Sequence, residues 1–142
     1  MSMLPEKLSE QLDNLALFSD RQERIEALIA LGDEYRAKAI PDVPRDAEHR
    51  VPACESEVYA ASEPFGEGLR YLFAVDNPQG ISAMALATIL DEGLSGVEPA
   101  EVVQVPDDIV YEVFGRELSM GKTAGLIGMV QKVKQEARRA LK

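Results

Sequence analysis

The chain has 142 residues, 46% of them hydrophobic, which suits one domain (residues 1–142) built on one sizeable core rather than a disordered tail. Twenty-five acidic against fifteen basic residues give a formal net charge of -10, which argues against general binding to nucleic acid or to an anionic membrane and favours a basic protein partner. A lone cysteine rules out an internal disulfide and any set of thiolates for zinc or an iron–sulfur cluster; with no apolar signal core at the start and no bilayer-length apolar stretch, a cytoplasmic, reducing location is expected.

Leu4, Leu8, Leu12 and Leu15 recur at helical spacing and predict an amphipathic helix that tolerates Pro5 in its first turn. Ser19 followed by Gln22 predicts a capping box for a second helix, with Ile25, Leu28 and Ile29 on its apolar side and Gly32 as its stop. From 40 to 52, three prolines, mixed charges and no periodicity predict a long loop. That loop delivers Cys54. Pro52 locks its own φ and biases Val51 toward extended geometry, so the backbone entering the cysteine is expected to be stiff and non-helical.

Residues 56–61 read as a strand, and the alternation of Leu69, Tyr71, Phe73 and Val75 predicts a second; Pro64, Gly66 and Gly68 punctuate the 62–68 connection of a hairpin. Asn77-Pro78 reads as the N-cap and first residue of a helix carrying Ile81, Met84, Ala85, Thr88 and Ile89 on one side and stopping at Gly93. Glu98-Pro99 opens a short helix through Val103, and Pro106-Asp107-Asp108 breaks the chain again. Residues 109–114 read as β-like. A long last helix, from about 119 to 141, places Leu126, Val130, Val133, Ala137 and Leu141 on one stripe. Lys132, Lys134, Arg138, Arg139 and Lys142 crowd its end, where they suit the negative pole of the helix dipole and read as a solvated basic terminus.

Cys54 is the candidate for covalent chemistry. A free cysteine is often a small inert hydrophobe in a core, but this one sits among Arg45, Asp46, Glu48, His49, Arg50, Glu55 and Glu57, company that belongs to a polar loop. The nearby cations favour the reactive thiolate and the two glutamates oppose it. His49 as a base for Cys54 lacks a third partner and reads as a loop histidine. Gly115 to Thr123 nearly spells a phosphate-binding loop, but five residues separate its glycines, Gly115 and Gly121, where the motif has four, and the number of backbone N–H groups facing a phosphate depends on that length. Met84, Met120 and Met129 read as core packing.

The order of elements, with Arg50-Val51-Pro52-Ala53-Cys54-Glu55-Ser56-Glu57-Val58-Tyr59 and Leu118-Ser119-Met120-Gly121-Lys122-Thr123-Ala124-Gly125-Leu126, resembles the SufE family over nearly the whole length. The first stretch is similar to the family's R-V-x-G-C-x-S-x-V-W and the second to L-[ST]-P-x-R-x-x-G-[LF]. Ala53 stands where the family usually has Gly, Tyr59 where it has Trp, and Lys122 where it has Arg.

The resemblance implies an α+β fold shared with IscU-type scaffolds, a small antiparallel sheet packed against several helices with a long C-terminal one. It implies a protein that is not itself an enzyme and needs no cofactor. Cys54 would take sulfane sulfur from the persulfide of a PLP-dependent, SufS-like cysteine desulfurase, stimulate that enzyme, and pass the sulfur on to a SufB-like iron–sulfur scaffold. Arg50, Glu55, Ser56 and Lys122 would support the loop or bind the partner. Two other readings remain open: a module that binds a desulfurase without carrying sulfur, and a small nucleotide-binding protein acting through Gly121-Lys122-Thr123.

Overall fold

Leu8, Leu12 and Leu15 are buried in the computed structural model, on the inner face of helix α1 (Glu6–Ala16), as their spacing predicts. Pro5 is the N-cap rather than a first-turn residue. The structure describes residues 4–38, 42–52, 57–77, 79–115 and 120–141, with the side chains of 120–122 set aside.

Helix α2 (Arg21–Ala37) is capped by Asp20, whose carboxylate accepts the Gln22 N–H at 3.2 Å, one residue later than the expected Ser19 cap. Gly32 does not end it. The glycine is buried against α3 (Ile81–Leu94), where a β-carbon would stand 3.4 Å from Ile81 Cγ2, so its lack of a side chain serves close helix packing. Packing follows Leu28, Leu31 and Tyr35, and the Thr88 hydroxyl ties the two helices by donating to the Leu31 carbonyl at 2.9 Å. Ile25 and Ile29 therefore fall off the buried stripe, 39% and 42% exposed, and with Phe18, Ile81 and Phe114 they line an open groove of about 490 Å³.

Helix α3 begins at Ile81 with Gly80 as N-cap, not at Asn77-Pro78. The Asn77 side chain instead accepts the Gln79 N–H at 2.9 Å and its carbonyl accepts Gly80 N–H at 2.9 Å, making a turn before the helix; Pro78 lies outside the described residues. Its residues from 83 to 90 are all buried, which makes α3 the central helix. Gly93 lies within α3, where a β-carbon would meet the Leu8 Cα at 3.0 Å.

Strands β1 (Val58–Phe65) and β2 (Gly68–Val75) pair antiparallel in the register Val58↔Val75 through Phe65↔Gly68. The turn is only Gly66-Glu67, with Gly66 at φ 59°, so the strand absorbs most of the expected connection; Pro64 is tolerated near the hairpin end, where among the described residues β1 has no second strand beside it. Strand β2 lies on α3, while β1 faces the last helix.

Helix α4 (Pro99–Val102) starts after Glu98 as expected. Residues 109–114 form helix α5 (Ile109–Phe114) rather than a strand, burying Ile109, Val110 and Val113. The Arg24 guanidinium donates to the Glu112 and Val113 carbonyls at its end, a cation on the negative pole of a short helix.

Helix α6 (Met120–Ala140) buries Leu126, Val130, Val133 and Ala137, while Leu141 is exposed past its end. Three of its basic residues have partners, while Arg138 and Arg139 are exposed at its end and Lys142 lies outside the described residues. Lys132 is buried and donates to the Glu48 carbonyl, Lys134 pairs with Asp107 at 3.0 Å, and Arg139 pairs with Glu136 at 3.0 Å and Glu48 at 3.5 Å. The fold is α+β: among the described residues, a two-stranded antiparallel sheet and six helices, the C-terminal one long.

Candidate functional site

Ala53, Cys54, Glu55 and Ser56 lie outside the described residues; the limbs of chain on either side of them do not. On the incoming limb, a turn is closed by the Arg50 N–H on the Asp46 carbonyl at 3.1 Å and by His49, whose N–H and Nδ1 lie 2.9 and 2.6 Å from Asp46 Oδ1. Those two hydrogen bonds, side chain then backbone, hold the Asp46 carboxyl below the usual carboxylate range. His49 is thus engaged with Asp46, as a loop histidine.

The limb then pairs with the sheet, a feature the sequence reading of a structureless loop missed. Arg50 bridges Tyr59 antiparallel, flanked by Val51 N–H on the Val58 carbonyl and Ala60 N–H on the His49 carbonyl, each 2.8 Å. Val51 is fully buried and acts as the limb's apolar anchor. On the outgoing limb, the Asp76 N–H binds the Glu57 carbonyl at 2.8 Å. Pro52 and Glu57, the last described residues on each side, are both exposed.

Three side-chain features brace this frame. Arg45 forks onto Asp76, Nε to Oδ2 at 2.9 Å and Nη2 to Oδ1 at 3.0 Å, with its guanidinium 5.5 Å from the centroid of the Tyr59 ring and its Nη1 donating to the Val43 carbonyl. Gly128 of α6 faces the Pro52 carbonyl, and a β-carbon there would stand 2.7 Å from that oxygen. On the free edge of β2, the Tyr35 hydroxyl accepts the Val75 N–H at 2.8 Å and donates to the Phe73 carbonyl at 3.4 Å; burial pushes its own pKa up.

Of the residues singled out in the sequence, Arg50 is exposed and belongs to the frame through its backbone bridge. Glu55 and Ser56 fall outside the described residues with Cys54, and Lys122 lies in α6 with its side chain set aside. The run before Gly115 is α5, so the strand that a phosphate-binding loop leaves from is a helix here. Arg45, Asp76, Tyr35 and Gly128 were missed as frame residues. Among the described residues no group of three or more His, Cys, Asp or Glu is placed to hold a metal, and no helix is long and apolar enough to cross a membrane.

Fold and frame define a small α+β protein whose one cysteine sits in the chain between two limbs anchored on the same end of a hairpin. The chain belongs to the SufE family: the family model, a Fe-S metabolism associated domain, matches residues 9–137. This associates it with iron–sulfur metabolism. It is 24% identical over 141 residues to a SufE-like protein of Rhizobium meliloti, covering 92% of this chain and 94% of that one. It also matches the solution structure of a hypothetical protein from Thermus thermophilus, with a TM-score of 0.74 at 23% identity over 98% of each chain, which speaks for the fold.

Proposed function

We propose that this chain, acting as one domain in the cytoplasm, is a sulfur carrier: Cys54 accepts persulfide sulfur from a PLP-dependent, SufS-like cysteine desulfurase, stimulates that enzyme, and hands the sulfur to a SufB-like scaffold for iron–sulfur cluster assembly. The observation that carries this reading is the family match over residues 9–137, which spans the Cys54 stretch. The PLP belongs to the donor enzyme. Arg50, Glu55, Ser56 and Lys122 support the loop or contact the desulfurase.

The transfer is an exchange at sulfur. Cys54 thiolate attacks the outer sulfur of the donor persulfide, the new S–S bond forms as the donor S–S bond breaks, and the donor cysteine leaves as a thiolate. The proton of the persulfide stays with the sulfur that moves, so no general acid is required.

The test is to incubate the protein with a cysteine desulfurase and cysteine, then weigh it intact. Addition of one sulfur, lost in Cys54→Ser, supports the carrier. A stable complex with no adduct would favour a desulfurase-binding module instead, and thermal stabilisation by ATP would favour a nucleotide-binding protein.

A further inference from the structure

Four of the large hydrophobic side chains left exposed among the described residues, Phe18, Ile25, Ile29 and Ile81, line one groove of about 490 Å³. Apolar surface gathered in one place on a charged protein is the usual character of a docking face. The charged residues lining this groove are both arginines, Arg21 and Arg24, and Arg24 is held on the Glu112 and Val113 carbonyls. A basic partner, which the net charge of -10 would otherwise favour, meets like charge here.

The exposed side of α2 carries a pattern that fits another occupant. Arg21, Ile25, Ile29 and Asp33 are all exposed and follow one another four residues apart, so they form one ridge along the helix. From its N-terminal end the ridge runs cation, apolar, apolar, anion. Turned end for end, it is its own complement. Arg21 and Asp33, like Ile25 and Ile29, lie equally far on either side of Ala27, so a second α2 crossing antiparallel at that level sets Arg21 opposite the partner's Asp33 and Ile25 opposite the partner's Ile29. Two-fold symmetry then makes each contact twice. Within one copy Asp33 meets Arg36 at 3.5 Å, an exposed pair too weak to withhold it. The charge of -10 on each copy opposes association at long range, but at about 0.15 M salt the Debye length is about 8 Å, and pairs in contact are screened less than charges farther apart. The local pattern therefore decides.

We propose that this face is a homodimer interface: two copies of the chain pair across α2, antiparallel about Ala27, with Ile25 and Ile29 of each seated against the groove of the other. The patch is small and its ion pairs lie at the rim, so the dimer is a weak, reversible one. The inference goes beyond the carrier reading and does not depend on it.

The test is analytical ultracentrifugation of the full chain from about 10 μM to about 1 mM in about 0.15 M salt, a range that captures weak association, with reductant present so that no disulfide joins two copies. Wild type is expected to shift from monomer to dimer across that range. Ile25→Gln and Ile29→Gln each raise the dissociation constant at least tenfold, and Arg21→Asp and Asp33→Arg each raise it at least fivefold. Arg21→Asp combined with Asp33→Arg restores it to within twofold of wild type, which a merely sticky surface would not do. Circular dichroism at the lowest concentration stays that of wild type in every variant, because all four residues are exposed. Amide chemical shifts of the wild type that change with concentration in α2 and around Phe18 and Ile81 place the contact without any substitution. A wild type that stays monomeric at about 1 mM overturns the proposal and leaves the groove to a different protein, the desulfurase included. A dimer indifferent to Ile25→Gln and Ile29→Gln, a charge swap that does not restore association, or shift changes confined to another face overturns it as well. None of these readouts involves sulfur, so failure of the carrier reading and failure of the dimer are told apart.

Discussion

Gly128 and the carbonyl of Pro52 are in contact: a β-carbon on Gly128 would stand 2.7 Å from that oxygen and 3.1 Å from Val51 Cγ1. In an open helix interior Gly→Ala stabilises by about 1 kcal/mol. Here the methyl meets backbone, which does not rotate away, and overpacking of this kind costs about 1–3 kcal/mol. Gly128→Ala is therefore expected to lower the melting temperature by a few degrees. A raised melting temperature would show that α6 and the incoming limb are not in contact. Because the displaced residue is two positions before Cys54, the same variant is expected to accept sulfur several-fold more slowly.

Tyr71 is buried, yet among the described residues its hydroxyl has no hydrogen-bond partner, and the neighbouring Glu136 carboxylate is taken by Ser62 at 2.8 Å and Arg139 at 3.0 Å. An unpaired buried hydroxyl costs about 1–3 kcal/mol, so Tyr71→Phe should leave stability unchanged or raise it by about 1 kcal/mol in urea unfolding. Burial first, and Glu136 second, push the Tyr71 pKa up to about 12 from the ordinary value of 10.0. The folded state thus favours the neutral phenol, and the unfolded state loses its proton first. Stability present below pH 10 falls as pH rises toward 12, and Tyr71→Phe should flatten that fall. An identical pH profile for both proteins would contradict this placement of the hydroxyl.

What the sequence told and what it hid divide along physical lines. The leucine stripe of α1 and the apolar stripe of α6 were legible because one face of each helix is buried at helical spacing. Helix α5 was misread because Ile109, Val110, Tyr111, Val113 and Phe114 are β-branched or aromatic; yet the residues that bury, Ile109, Val110 and Val113, lie one and four apart, a helical signature visible in the sequence. Gly32 and Gly93 looked like stops because glycine is costly within a helix, whereas both sit where another helix comes close. The Cys54 stretch, singled out from Pro52 and the family pattern, lies outside the described residues. Its frame was not legible: the Arg50–Tyr59 bridge, the Arg45–Asp76 fork and the Gly128–Pro52 contact join residues far apart in the chain, and no periodicity records them.

Lys122 stands where the family usually has arginine, on the last helix. It keeps the positive charge without the bidentate fork, which suits a partner contact better than a structural one. Lys122→Ala is expected to weaken binding of the desulfurase by about threefold to tenfold, near 1 kcal/mol, with the melting temperature unchanged. Titration calorimetry checks it, and an unchanged dissociation constant would remove Lys122 from the contact.

The central claim is that the single sulfur atom at position 54 receives another. Intact-mass measurement after incubation with a cysteine desulfurase and cysteine tests it most directly. The account predicts a one-sulfur adduct on the wild type, removed by reductant, with no adduct and no stimulation of the desulfurase by Cys54→Ser. A Cys54→Ser protein that still stimulates cysteine turnover, or a wild type that forms the complex and never gains sulfur, would contradict it.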